Sequence, residues 1–262
     1  MATSKKESVM KHIRTAIFLK TSFILTAVNS IFFSGCTKDH FFDFTKSAGK
    51  TVTVYRNCTD FNHMEIMDDV DVIIHTDTVP FIRVTAGQNI VDGITTEIRD
   101  GVLTVRNENR SNWVRSFKNS YCVEIGTDSL CRISFHGSGT IRTADTLQVT
   151  DFTFDSRNAS GSILLVLDCT TSHLNVHTGR CDLTVSGHSD VTYYYLNDTG
   201  IINGSGLRSA YTYARNSGTG VLHLYAENEL GVEILHTGDI RYGGNPYRID
   251  SEITGSGRLI KE

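Results

Sequence analysis

A short turn of small residues closed by an aliphatic recurs through the second half of the chain, and it narrows the possible folds sharply. It reads GSGTI at 137–141, ASGSI at 159–163, TGRCDL at 178–183 and GHSDV at 187–191. It continues as GSGL at 204–207, SGTGV at 217–221, TGDI at 237–240 and GSGRL at 255–259. The closing aliphatics are Ile141, Ile163, Leu183, Val191, Leu207, Val221, Ile240 and Leu259, separated by 22, 20, 8, 16, 14, 19 and 19 residues. Apart from one short step, that spacing suits stacked coils, each a supersecondary unit that buries its apolar face only against its neighbours. At each corner the chain must turn sharply, and glycine takes left-handed or strained backbone angles at little steric cost. Stacked corners would also collide if they carried bulky side chains. The pattern predicts an all-β solenoid, a right-handed parallel β-helix-like repeat domain. A β-sandwich with glycine-rich hairpins is the alternative.

The segments between turns read as strands. TVTVY places Val52 and Val54 on one face, and DVDVII alternates Val70, Val72 and Ile74 against Asp69, Asp71 and Ile73. Similar short runs follow to the end, bounded by Gly, Asn, Asp or Ser, which is the strand signature. Glycine numbers 22 and proline 2, as expected for many tight turns without flexible linkers. The formal net charge is −4, with 25 basic residues scattered among 29 acidic ones, so nothing points to nucleic acid.

The N-terminus carries a different signal. Lys5, Lys6, Lys11 and Arg14 form a positive region, with Met10 an alternative start. A mainly apolar stretch, Thr21–Ser34, follows. It is shorter than the ~20 residues needed to span a bilayer and fits an export signal. It ends Phe33-Ser34-Gly35-Cys36, which resembles a bacterial lipobox, with Phe33 in place of the usual leucine. This divides the chain into a lipoprotein signal at 1–35, a polar tether at 36–50 and a repeat domain at 51–262. Cys36 is the expected lipidation site and membrane anchor. The remaining cysteines are Cys58, Cys122, Cys131, Cys169 and Cys181, without any C-x-x-C spacing for zinc. Cys122 and Cys131 could pair across a turn, or all five could be buried thiols.

Several residue groups bear on possible chemistry. His173 and His177, four apart on a strand, would lie about 13 Å apart on one side, too far for one ion. Asp68, Asp69 and Asp71 form an acidic knot, with Asp69 and Asp71 expected on one strand face. A solvated face explains it better than calcium, because no calcium-loop pattern accompanies it. The turn Gly137-Ser138-Gly139 lacks the spacing of a nucleophile elbow. Catalytic residues, metal ligands and cofactors are therefore none. Tyr193, Tyr194, Tyr195, Tyr211, Tyr213 and Tyr225 enrich the C-terminal half, and alternate ones would face out as a ladder able to meet sugars or protein. Asp77-Thr78-Val79, Asp128-Ser129-Leu130 and Asp145-Thr146-Leu147 resemble an O-glycosylation sequon of some envelope bacteria.

Three segments together resemble the GIN-domain family of auto-transporter adhesin heads. They are Val70-Asp71-Val72-Ile73-Ile74, the strand Asp100-Gly101-Val102-Leu103-Thr104-Val105, and an ending with Gly238–Tyr242, Gly244, Pro246 and Gly255-Ser256-Gly257. The resemblance covers about residues 60–260. The 111–120 stretch, SNWVRSFKNS, and the short 183–191 step depart from it. It implies a β-helix-like domain on a Gram-negative envelope lipoprotein, in the outer membrane and facing periplasm or surface. It brings no catalytic residues. The expected function is a non-catalytic adhesin or surface binding module with a glycan or protein partner. The alternatives are a carbohydrate-active β-helix enzyme such as a polysaccharide lyase, and a purely structural envelope protein.

Overall fold

The computed structural model describes residues 48–109 and 121–262. Cys36, the export segment, most of the tether and the stretch at 111–120 lie outside the described residues. What is described is all-β apart from one 3-10 turn at Val91–Gly93. The strands are β1 Thr51–Arg56, β2 His63–Asp68, β3 Asp71–His75, β4 Phe81–Gly87, β5 Ile94–Arg99 and β6 Val102–Asn107. Next come β7 Cys122–Gly126, β8 Arg132–Gly137, β9 Thr140–Thr143, β10 Leu147–Ser156, β11 Ser162–Val176 and β12 Asp182–Leu196. The last six are β13 Ile201–Asn216, β14 Leu222–Tyr225, β15 Glu229–Ile234, β16 Ile240–Gly243, β17 Arg248–Ile253 and β18 Leu259–Lys261.

From β8 onward every ladder is parallel, and each strand up to β16 pairs with the coil before and after it. One wall runs β8–β10–β11–β12–β13–β15–β17, and another runs β9–β11–β12–β13–β14–β16–β18. The long strands β11, β12 and β13 serve both walls by bending midway. The ladders skip Thr150, Thr170, Asp190 and Ala210, which mark that bend in successive coils. This is the solenoid read from the turns.

The true repeat is more regular than the turn motifs suggested. Paired residues put Ile141, Ile163, Leu183, Ile202, Leu222, Ile240 and Leu259 in one inward column. Val221 stands one residue before this column, and Val191 and Leu207 belong elsewhere. Val191 pairs with Thr171 and Tyr211, just past the second bend, and Leu207 pairs with Gly187. The short step therefore joins two different corners of the coil. A second inward column is Met64, Ile133, Phe154, Leu174, Tyr194, Ala214 and Val232. All but Val232 of these are buried to within 5% exposure, and each fully buried aliphatic or aromatic contributes about 1.5–3 kcal/mol.

Glycine at the first corner answers proximity rather than dihedral strain. A Cβ at Gly139, Gly161, Gly220, Gly238 or Gly257 would strike a carbonyl oxygen of the preceding coil, on Val70, Gly139, Gly200, Gly220 and Gly238 respectively. None of these five has a positive φ. Cys181 occupies the equivalent place in its coil, and its side chain turns into the core, where burial pushes the thiol up to about 12. The string Gly204-Ser205-Gly206, read as another corner, lies instead within β13. There the register against β12 slips between Thr184 and Ser186, forming a bulge.

At the second bend, carbonyls leave the ladder and need other donors. Buried hydroxyls supply them. Ser189 Oγ donates to Val191 O at 2.9 Å, and Ser209 Oγ donates to Tyr211 O at 3.0 Å. Thr212 Oγ1 donates to Tyr225 O at 2.9 Å.

The N-terminal end departs from the repeat. β1 runs antiparallel to β4, and β4 runs antiparallel to β7. β5 and β6 form an antiparallel hairpin through Asp100-Gly101, both at positive φ (51° and 76°). That is the residue choice of a tight two-residue hairpin turn. These antiparallel strands close the solenoid at this end. The expected continuous strand through Asp69 is also broken. β2 stops at Asp68, whose φ is 65°, and β3 starts at Asp71. Asp71 Oδ1 accepts from the Thr140 amide at 2.8 Å, and Asp69 lies outside the strand that carries Asp71. The five described cysteines are free, Cys122 and Cys131 included. Cys122 opens β7 against β3, whereas Cys131 precedes β8 and donates its thiol to Asn62 O.

Candidate binding face

The outward side of the β10–β17 wall concentrates the aromatic residues. Period-two alternation sends Tyr194 into the core and leaves Tyr193 and Tyr195 outward. Stacking of coils then builds columns along the solenoid axis. One reads Thr153, His173, Tyr193, Tyr213, Gly231, Asp250. The next reads Asp155, Asn175, Tyr195, Arg215, Glu233, Glu252.

The first column is a ring stack. His173 and Tyr193 lie 4.8 Å apart and nearly parallel at 6°, and Tyr193 and Tyr213 lie 5.3 Å apart at 18°. Both tyrosines stay about 40% exposed. The stack stops at Gly231. A Cβ there would lie 2.7 Å from Tyr213 Cδ1, so the missing side chain lets the ring lean over the next coil. Beside it opens a groove of 820 Å³, lined by Tyr193, Tyr213, Gly231 and Glu233 and bordered by Asp250 and Glu252. Arg215 Nε and Glu233 form an ion pair across its floor at 3.2 Å. His177 tilts against Tyr195 with centroids 5.3 Å apart, so the two histidines join the face singly rather than as a metal pair. Of the remaining tyrosines, Tyr211 is exposed on this wall, and Tyr225 lies on the other wall, where the Arg208 guanidinium sits 4.3 Å above its ring.

At the other end of the face is a polar cluster that the sequence reading missed. Asp155 Oδ2 accepts from Arg132 at 2.7 Å, and Oδ1 accepts from Asn175 at 3.1 Å and meets His177 Nε2 at 3.2 Å. Burial pushes the Asp155 carboxyl up, but the hydrogen bonds from Arg132, His177 and Asn175 outweigh it, so its pKa sits below the ordinary value. Ser134 Oγ lies 2.9 Å from His63 Nε2. His63 is held below the usual histidine range, first by burial and then by the Arg132 charge. A serine–histidine pair invites comparison with a nucleophile and base. The nearby carboxylate, however, turns both oxygens to Arg132, Asn175 and His177, not to His63, so no triad is assembled.

Elsewhere, Asp68 and Asp69 border a shallow 440 Å³ depression with Asn107, Asn158 and His136. Among the described residues no three His, Cys, Asp or Glu side chains converge to hold a metal ion. The three Asp-Ser/Thr-aliphatic triplets fall together at one edge. Thr76 Oγ1 donates to Thr146 O at 3.1 Å, and the Asp77 amide donates to Thr127 O at 3.4 Å. Leu130 and Leu147 of those triplets enter the core, whereas Val79 is 71% exposed.

A parallel β-solenoid with an antiparallel cap and an aromatic outer wall is the class of protein that this geometry defines. The chain belongs to the family described as "Putative auto-transporter adhesin, head GIN domain", whose model matches residues 60–246. Solved structures share the fold. A putative adhesin from Bacteroides fragilis is 21% identical with a TM-score of 0.75, the match covering 81% of this chain and 97% of that one. A putative adhesin from Parabacteroides distasonis is 17% identical with a TM-score of 0.66, covering 82% and 98%. A protein from the same organism described as a putative lipid binding protein is 18% identical with a TM-score of 0.64, covering 82% and 97%. No curated protein matches the chain in sequence.

Proposed function

We propose that this protein is a non-catalytic adhesion module of the bacterial cell envelope, anchored in the outer membrane through lipid on Cys36, and that its ligand is an extended glycan lying along the His173–Tyr193–Tyr213 stack. The stack carries the reading. Three rings at 4.8 and 5.3 Å on a rigid wall form a strip with one ring per coil. The sugars of an extended glycan advance by about one coil spacing per residue, so successive rings meet successive sugars. Ring edges supply apolar contact and phenol hydroxyls supply hydrogen bonds, the mixture a polyhydroxylated ligand needs. The family description and the names of the similar structures support an adhesin role. The occupied oxygens of Asp155 favour recognition over cleavage.

Two measurements test the proposal. Full-length protein extracted in detergent is passed over a glycan array and a panel of polysaccharides. Binding without cleavage supports the module, whereas cleaved products would overturn it in favour of an enzyme. Silence on both would favour a structural role. Replacing Cys36→Ser and fractionating cells tests the anchor: the expected result is release of folded protein from the membrane fraction. Retention of an unprocessed chain in membranes would refute lipidation at Cys36.

A further inference from the structure

The two ends of the solenoid are built differently. At the N-terminal end the walls finish in antiparallel pairs, β1 on β4 and β5 on β6. At the C-terminal end, among the described residues, β17 pairs only with β15 and β18 only with β16. Both strands thus present an open edge. The inward columns also run out into solvent there. Leu230 and Ile234 in the preceding coil are buried, but Ile249 and Ile253, which stand on them, are 41% and 44% exposed. Core-type side chains and unpaired backbone on one edge form a surface prone to further pairing.

We infer that this end is an interface between two copies of the chain, made by antiparallel pairing of β17 with β17 of the second copy. An edge that meets its own counterpart gives a closed two-fold contact, which leaves neither copy's β17 unpaired. The charges of β17, Arg248-Ile249-Asp250-Ser251-Glu252-Ile253, then select the register. Antiparallel partners must keep side chains on the same face, so inward residues oppose inward residues. Pairing centred on Asp250 sets Arg248 opposite Glu252 of the second copy, twice, with Ile249 opposite Ser251. Pairing centred on Ser251 would set Asp250 opposite Glu252 twice, a like-charge conflict. In the favoured register the two Asp250 side chains face each other, but each is already paired with its own Arg248 at 2.8 Å. Each Arg248 would bridge its own Asp250 and the second copy's Glu252. Charges that discourage indiscriminate edge pairing are the ones that specify this pair. The groove beside Tyr213 is bordered by Asp250 and Glu252, so the second copy would add a wall to it.

Sedimentation of the full-length protein in detergent reads the assembly directly. The expected mass is twice that of the chain. Arg248→Glu alone and Glu252→Arg alone should each give monomer, and R248E/E252R together should restore the dimer, an outcome that general damage to the edge would not produce. Asp250→Cys should cross-link two copies on oxidation, whereas Asp151→Cys, on the same wall in the middle of β10, should not. A monomer at micromolar concentration, a double variant that stays monomeric, or equal cross-linking at both positions would overturn the interface.

Discussion

The phenol oxygen of Tyr194 fills the place that a Cβ on Gly204 would take, on a different wall of the solenoid, so that any side chain there would collide with the ring. Tyr194 is 2% exposed, and its hydroxyl has no hydrogen-bond partner among the described residues. Burial accordingly pushes its pKa far above the usual tyrosine value. The bulge in β13 thus makes room for a ring whose polar tip goes unsatisfied. Tyr194→Phe should leave stability unchanged or raise it by about 1 kcal/mol, because only an unpaired hydroxyl is lost. Gly204→Ala should lower it by about 1–3 kcal/mol through overpacking. Urea denaturation of both variants checks the pair, and a clear loss in Tyr194→Phe would mean that the hydroxyl has a partner.

The corner ladder makes a harsher prediction. A Cβ at Gly220 meets the backbone oxygen of Gly200, which cannot swing aside as a side chain could. Gly220→Ala should cost at least the ~1–3 kcal/mol of overpacking. At roughly 2–4 °C per kcal/mol for a domain of this size, the melting temperature drops visibly in a thermal scan. Gly101→Ala provides the contrast. Its Cβ would meet nothing closer than 3.7 Å, so only its positive φ is penalised.

Stability should fall in two steps as the solution is acidified. The folded-state pKa of His63 lies below its unfolded value of about 6.5, so the unfolded chain takes up a proton first. The resulting loss of stability begins near that value and is complete below the folded one. Asp155 is also depressed, relative to about 3.9. Its contribution is fully present above that value and is lost as pH falls through the folded pKa. His63→Gln should remove the first step and Asp155→Asn the second in denaturation midpoints measured from about pH 8 to pH 3.

Ligand affinity should follow the ring stack. Tyr193→Ala removes the central ring, which contacts both neighbours, and Tyr213→Ala removes the ring bordering the groove. Each should weaken glycan binding about tenfold, near 1.4 kcal/mol. Tyr225→Ala on the other wall should not change it. Equal effects from all three, by titration calorimetry, would move the site off this face.

Much of this was legible because sterics write directly into residue choice. The stacked corners exclude side chains, so Gly139, Gly161, Gly220, Gly238 and Gly257 announce themselves. The same letters mislead at Gly204-Ser205-Gly206, because a glycine gives no sign of which side needs the space. The alternation of Tyr193, Tyr194 and Tyr195 follows from strand period. The Asp100-Gly101 hairpin was visible as a dipeptide but was absorbed into a strand motif. The face itself could have been read further. Residues 153, 173, 193 and 213 recur at intervals of twenty, as do 155, 175, 195 and 215, and that register brings Asp155 beside Asn175. The Arg132 contact was hidden because the repeat before β10 is irregular, so no fixed interval connects it to Asp155. The antiparallel cap was hidden as well, since strand patterns do not state direction.

The unequal spans of the ladders bear on how the molecule assembles in time. Within the regular coils, partners such as Val176 and Leu196 are twenty residues apart, but β2 meets β8 across the 69 residues from His63 to Arg132. Closing the longer loop costs about 1 kcal/mol more in chain entropy. Chain entropy therefore favours ordering within the C-terminal coils ahead of the β2–β8 contact that joins the cap to them. Chain synthesis releases the N-terminus first, so β2 is made 69 residues before the β8 strand that it pairs with.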